Sequence, residues 1–209
     1  MLEQVVNIFI ILFVVIDPIA LAPIFGAMTR GGSDAYRKKM AYKAVTLSTV
    51  IVLIFLFLGN HFLKAMGISI PAFKIAGGLL LLINGFDMVF ARHTGLRSTT
   101  VKESAEARQK DDISVFPLAF PLIAGPGTIT TVLLLSADFR NDPTMFAIMV
   151  GILLFVLLLA LIFLLMSGRV MNLLGETGAN VLDRLLGVVL CALSIQFMID
   201  GIKSAFMLG

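Results

Sequence analysis

The sequence predicts an all-α membrane protein of six transmembrane helices, arranged as two inverted three-helix repeats with broken first and fourth helices. Three observations lead there. Hydrophobic residues make up 59% of the 209 and charged residues only 14%, where a soluble domain carries roughly 25% charged residues. The apolar residues fall into six runs of bilayer-spanning length, about 20 residues each. Two of those runs, the first and the fourth, are interrupted by proline.

The runs are Val5 to Met28, Ala44 to Phe62, Pro71 to Phe90, Ile113 to Ser136, Met145 to Met166 and Leu185 to Met207. The N-terminal run lacks a basic leader and passes straight into Asp17-Pro18, so it reads as a mature span rather than a cleaved signal. A polar stretch, 91–112, separates the third and fourth runs. The segment Ser167 to Arg184 contains Gly-Glu-Thr-Gly and is expected to be a surface loop.

Orientation follows from the basic residues. If the N-terminus lies outside, 12 of the 16 Lys and Arg fall in the three inner loops and only Lys64, Lys74, Arg140 and Lys203 fall outside. The positive-inside rule then places both termini on the outer face of the cell (inner) membrane, with the linker inside. The same rule accounts for the basic balance of +3, which therefore gives no argument for nucleic acid.

The repeat is read from spacing. Pro18 and Pro23 recur as Pro121 and Pro126, 103 residues on in each case. Gly77 and Met88 recur as Gly187 and Met198, 110 residues on. This divides the chain into residues 1–90, the inner linker 91–112 and residues 113–209. Three spans per half force opposite orientations, and paired broken spans in such repeats mark a substrate site near mid-membrane.

The candidate site residues follow. The stretch Phe116 to Thr131 reads FPLAFPLIAGPGTITT. Proline lacks an N–H, so Pro117, Pro121 and Pro126 would free the carbonyls of Ile113, Pro117 and Leu122 in a helix; Pro18 and Pro23 would free those of Val14 and Ile19. In hydrocarbon those carbonyls need another partner. Gly125-Pro126-Gly127-Thr128, with Thr130 and Thr131 after it, is placed to start a half-helix whose positive end suits a carboxylate; the threonine hydroxyls equally suit back-bonding to their own helix. Asp17 has two readings, an intramembrane ligand or proton carrier and an N-cap for a half-helix beginning at Pro18. Asn84 and Gln196 read either as interhelix hydrogen-bonding groups or as site-lining groups; Asp87 and Asp200 lie nearer helix ends, where headgroup exposure accounts for them. Gly77, Gly78, Gly187 and Ala192 suit close helix packing.

No catalytic or metal residues are assigned, and no cofactor. His61 and His93 share no metal-ligand spacing, Cys191 is single, and no nucleotide fingerprint occurs. The reading is of a transporter, not an enzyme. Its partners are the lipid bilayer, a zwitterionic small molecule and a coupling H+ or Na+, and the chain is compatible with a homo-oligomer.

Asp17-Pro18-Ile19 with Pro23-Ile24-Phe25, then PLAFPLIAGPGTITT from Pro117, then LLGETGANVLDRLLGVVLCALSIQFMIDGI from Leu173 to Ile202, resemble the MarC family of integral membrane proteins. The resemblance covers nearly the whole chain. It implies six spans and a distant kinship with LysE-type exporters, and Asp17 fits a family position that takes Asn or Asp before proline. Relatives of the SnatA type are described as transporters of small neutral amino acids such as glycine and alanine. The implied function is therefore secondary transport of such amino acids, coupled to a proton or sodium gradient. A non-transporting membrane factor that binds a lipid or partner protein, or a channel, is the alternative.

Overall fold

The computed structural model describes residues 1–90 and 112–206. Nearly all of the 91–112 linker therefore lies outside the described residues. The helices are α1 (Leu2–Ile16), α2 (Pro18–Met28), α3 (Asp34–Ala65), α4 (Ile70–Val89), α5 (Pro126–Asp138), α6 (Pro143–Leu165) and α7 (Ser167–Phe206). Before α5 comes a wide-wound proline segment, Ser114–Ile123, with extended backbone at Phe116 and Phe120 and cis bonds preceding Pro117 and Pro121. Local chemistry sets the helix starts. Ser33, Ser69 and Asp142 accept first-turn N–H groups of α3, α4 and α6, and prolines fill the first turns of α2, α4, α5 and α6, where no intrahelical N–H is required.

Among the described residues five spans are long and apolar enough to cross a membrane, and the proline segment with α5 makes a sixth, bent by 52°. Contacts along α3 distinguish a crossing from a re-entrant loop. Near its start, Lys43 pairs with Asp112. One turn later the Ser48 hydroxyl reaches the Ala119 carbonyl at 3.4 Å. Near its end, Gly59 lies against Leu133. Beyond it, Lys74 at the start of α4 pairs with Asp138 at 2.7 Å. Lys43 to Ala65 covers about 33 Å of helix, close to the roughly 30 Å hydrocarbon core. The bent pair thus runs the full depth, parallel to α3. The first span runs similarly along α6, with Phe9 against Phe155 at 6.2 Å between ring centroids and Gly26 against Ser167.

The first span is more buried than the four unbroken spans, 61% against 33% or less. It lies inside the bundle with the bent pair, while α3, α4, α6 and α7 present Phe57, Leu79, Leu158 and Val188 outward. Helices α4 and α7 pack antiparallel at glycines. An added Cβ on Gly78 would come 2.7 Å from the Ser194 carbonyl oxygen, and one on Gly187 would come 3.0 Å from that of Gly85. The packing role expected for Gly77, Gly78 and Gly187 is met, since Gly77 likewise receives the Thr130 methyl, whereas Ala192, expected in the same role, is exposed on the outer face of α7.

Three expectations are corrected. Ser167 to Arg184 is helix rather than loop: the chain leaves helical geometry only at Gly175, at φ 63° and ψ 176°, a region essentially open to glycine alone. The turn residues produce a break one residue wide, and α7 resumes with Ala179 buried against the bundle. The first span breaks once, at Asp17, and Pro23 sits inside the continuous α2. The Ile113 carbonyl is not free, because the wide winding lets the Leu118 N–H reach it at 3.3 Å.

The Lys43–Asp112 pair makes a pH prediction. The Lys43 ammonium, then the Ser114 hydroxyl and N–H, hold the Asp112 carboxyl down from 3.8 to about 2. A lowered folded value means the stabilisation is present above 3.8 and lost as pH falls through about 2. Both side chains are nearly half exposed, so water screens the pair and the gain is small. A carboxyl-carbon NMR titration of Asp112 should show a midpoint near 2; an ordinary midpoint would mean the pair does not form.

Candidate functional site

The two breaks meet inside the bundle. Asp17 has left-handed backbone, φ 52° and ψ 66°, which ends α1. Its carboxylate then accepts the Ala20 N–H at 3.2 Å and caps α2. Aspartate is among the few residues that tolerate this conformation, and Pro18 at the first helical position completes the start. Asp17 is fully buried.

Across from it, the proline segment gives way to α5 at Gly125-Pro126. Here the cap residue is Gly125, which supplies no side-chain acceptor. The two inner half-helices therefore differ. The positive end of α2 is met by the protein's own carboxylate, whereas that of α5 has none. Gly125 allows a close turn: an added Cβ would lie 2.1 Å from the Pro121 carbonyl oxygen. Gly127 brings the start of α5 against Leu81 of α4 and Val15 of α1, at 3.1 and 3.8 Å from its Cβ direction.

Between these parts lies a cavity of about 10 Å³ lined by Val15, Asn84, Pro121, Leu122 and Gly125 to Thr128. That is room for about one water-sized group. Asn84 is buried, and its Oδ1 has no hydrogen-bond partner among the described residues. Leaving such a group unpaired costs about 1–3 kcal/mol, so its retention here needs a reason.

Most of the candidate residues converge on this point: Asn84, Pro121, Gly125, Pro126, Gly127 and Thr128 line the cavity, and Asp17 and Pro18 form the adjoining break. The Thr128 hydroxyl donates to the Ile123 carbonyl at 2.9 Å and so bridges the break. Thr130 is buried against Gly77. The Thr131 hydroxyl is buried without a partner among the described residues. Pro23 lies beyond the break, one turn and more into α2.

Gln196 requires a correction. Neither an interhelix hydrogen bond nor a lining role is met: it is exposed on the bundle surface and donates to Asp200 of its own helix at 2.8 Å. The helical phase explains this, because Ser194 faces inward, fully buried, and two residues further is about 200° around the helix. Asp87, two residues before the end of α4, is half-buried, and its Oδ2 has no hydrogen-bond partner among the described residues. It lies three residues after Asn84 on the same face of α4; that i, i+3 spacing was the available signal.

Comparison with known proteins identifies the group. The model of the MarC family integral membrane proteins matches residues 2–206. The chain belongs to the MarC family. Among its relatives, the UPF0056 membrane protein YvbG of Bacillus subtilis is 37% identical over 206 residues, covering 99% of this chain and 97% of that one. The UPF0056 membrane protein YhcE of Escherichia coli is 35% identical over 198 residues, 95% and 91% of the two chains. A UPF0056 membrane protein of Archaeoglobus fulgidus is 36% identical over 201 residues, 93% and 90%. No solved structure matches. This MarC-family chain is thus an integral, multi-pass membrane protein.

Proposed function

We propose that this MarC-family protein is a secondary transporter of small zwitterions, glycine and alanine among them, with the substrate held where the first and fourth spans break. The observation that carries the reading is the uncapped start of α5 beside the unpaired Asn84 Oδ1, at the meeting of two buried breaks. The half-helix end suits the substrate carboxylate, and the Asn84 oxygen accepts from its ammonium. A cavity of about 10 Å³ is too small for an amino acid, so the described conformation is a closed one and binding requires the halves to move apart. A scaffold or lipid-binding factor has no use for two breaks at this depth, and a channel has none for a closed cavity.

The inverted repeat belongs to this proposal, and the packing supports it. The proline segment and α5 lie on α3 as α1 and α2 lie on α6, while α4 packs on α7. Both inner half-helices begin with proline, Pro18 and Pro126. That pairing is 108 residues apart, nearer the 110 of the third and sixth spans than the 103 that pairs Pro18 with Pro121. Both termini then lie outside, as the charge bias requires.

Binding is tested by thermal unfolding in detergent. Millimolar alanine or glycine should raise the midpoint, since a ligand that binds only the folded state stabilises it; acetate or methylammonium alone should not. No shift with either amino acid, or equal shifts with the half-molecules, would remove the zwitterion site.

For coupling to a proton or sodium ion, two carboxylates compete. Asp17 is occupied as a cap, whereas Asp87 keeps a buried oxygen without a partner among the described residues, so Asp87 is the stronger candidate. Asp87→Asn should abolish gradient-driven uptake and spare exchange. Asp17→Asn keeps both the cap and the tolerated backbone conformation, and should transport like the parent. Asp17→Ala loses the cap, about 0.5–2 kcal/mol, and places alanine in left-handed backbone at about 1–2 kcal/mol more. Loss of gradient dependence in Asp17→Asn alone would reverse the assignment.

A further inference from the structure

A second and larger cavity, about 400 Å³, opens at the end of the bundle that Lys43 and Asp112 also mark, between the ends of α2 and α6 and the starts of α3 and α7. Its polar wall carries Arg37, Lys38 and Arg169 against one acid, Asp34. Among the described residues no carboxylate pairs with any of the three cations. Arg37 is half-buried, and its Nη2 donates to the fully buried Ser167 hydroxyl at 2.8 Å. The guanidinium is thereby fixed at the cavity wall with its remaining donors unassigned. The rest of the lining is largely apolar. Phe25 in it is buried, and Leu165 and Met166 are exposed on the outer surface of the bundle.

We infer that this cavity binds a phosphate group. Three cations against one carboxylate leave the lining at a net +2, and a fixed guanidinium beside flexible ammonium and guanidinium groups suits a tetrahedral oxyanion with several acceptors. The group's source is an anionic phospholipid, because the apolar lining reaches the outer surface at Leu165 and Met166, where acyl chains lie. Basic pockets between spans at headgroup depth are used in this way. On the positive-inside assignment the lipid belongs to the inner leaflet.

Native mass spectrometry and thermal unfolding of the purified protein test the inference, using nanodiscs of phosphatidylcholine with and without phosphatidylglycerol. The parent should retain phosphatidylglycerol preferentially and gain stability from it. Lys38→Gln and Arg169→Gln, both at exposed positions outside the span interiors, should fold normally and each weaken retention about fivefold, the worth of one cation near a membrane surface. Ser167→Ala, which keeps every charge but releases Arg37, should weaken it less. Inorganic phosphate and glycerol phosphate form the soluble arms. If they protect the parent, but not the glutamine variants, as well as the lipid does, the phosphate site stands and the lipid source is wrong. Equal retention of both lipids, or glutamine variants that retain phosphatidylglycerol like the parent, would overturn the site itself.

Discussion

Gly125→Ala is expected to disable the protein at its centre. The residue's φ of −73° and ψ of 173° are ordinary for alanine, so glycine's conformational freedom is not the issue. Space is. The new methyl would stand 2.1 Å from the Pro121 carbonyl oxygen and 3.3 Å from its carbon. Those are backbone atoms, and they cannot turn aside alone, because Leu122, Ile123 and Ala124 beside them are buried. The proline segment must shift as a unit, moving Pro121 and Leu122 in the cavity wall. The expected cost is about 1–3 kcal/mol of stability, together with loss of alanine exchange in proteoliposomes. Gly151→Ala is the control, since nothing lies within 4 Å of its added methyl; it should be neutral or slightly stabilising in mid-helix. If Gly125→Ala behaves like Gly151→Ala in both assays, the tight turn at the start of α5 is wrong.

The second large effect is expected where α4 meets α7. A methyl on Gly78 would lie 2.7 Å from the Ser194 carbonyl oxygen and 2.6 Å from Met198 Cγ. Methionine bends, but a helix carbonyl does not. Gly78→Ala should therefore push the helices apart and lose about 1–3 kcal/mol or more, read as a lower midpoint in detergent-induced unfolding. In a bilayer the helices gain little by excluding water from each other, so close contact is what holds them. The same separation would open Gly85 and Gly187, where each methyl would meet the other helix at about 3 Å. Unchanged stability for Gly78→Ala would mean the contact is looser than described.

Much of this was legible in the sequence because bilayer constraints are blunt. Apolar run length gives the spans, and a proline within a run must free a carbonyl that something else satisfies. The Asp-Pro pair announced a helix start and did form one at α2. Spacing along a run did not reveal which break would be used. Pro23 remains inside α2, whereas the chain parts at Asp17, whose side chain can satisfy the new helix end. The turn residues after Leu173 also misled: one glycine absorbs the whole departure, and helix continues on either side. Gln196 faces outward and the Asp87 Oδ2 inward for a single reason. Depth along a span is readable from position, but facing depends on helical phase relative to neighbours, which is fixed by the close glycine contacts between α4 and α7. The cavity itself is tertiary, made of pieces of α1, α4, α5 and the proline segment, and no local pattern describes it.

The central claim is that Asn84 retains an unpaired buried oxygen for the sake of a substrate. Labelled-alanine counterflow in proteoliposomes, run on the parent and on Asn84→Leu, tests it most directly. Leucine removes the orphaned acceptor, so the variant should fold with unchanged or higher stability. The account predicts rapid exchange by the parent and none above protein-free vesicles by the folded Asn84→Leu. Exchange by Asn84→Leu at the parent rate, or no alanine or glycine exchange by the parent itself, would contradict it.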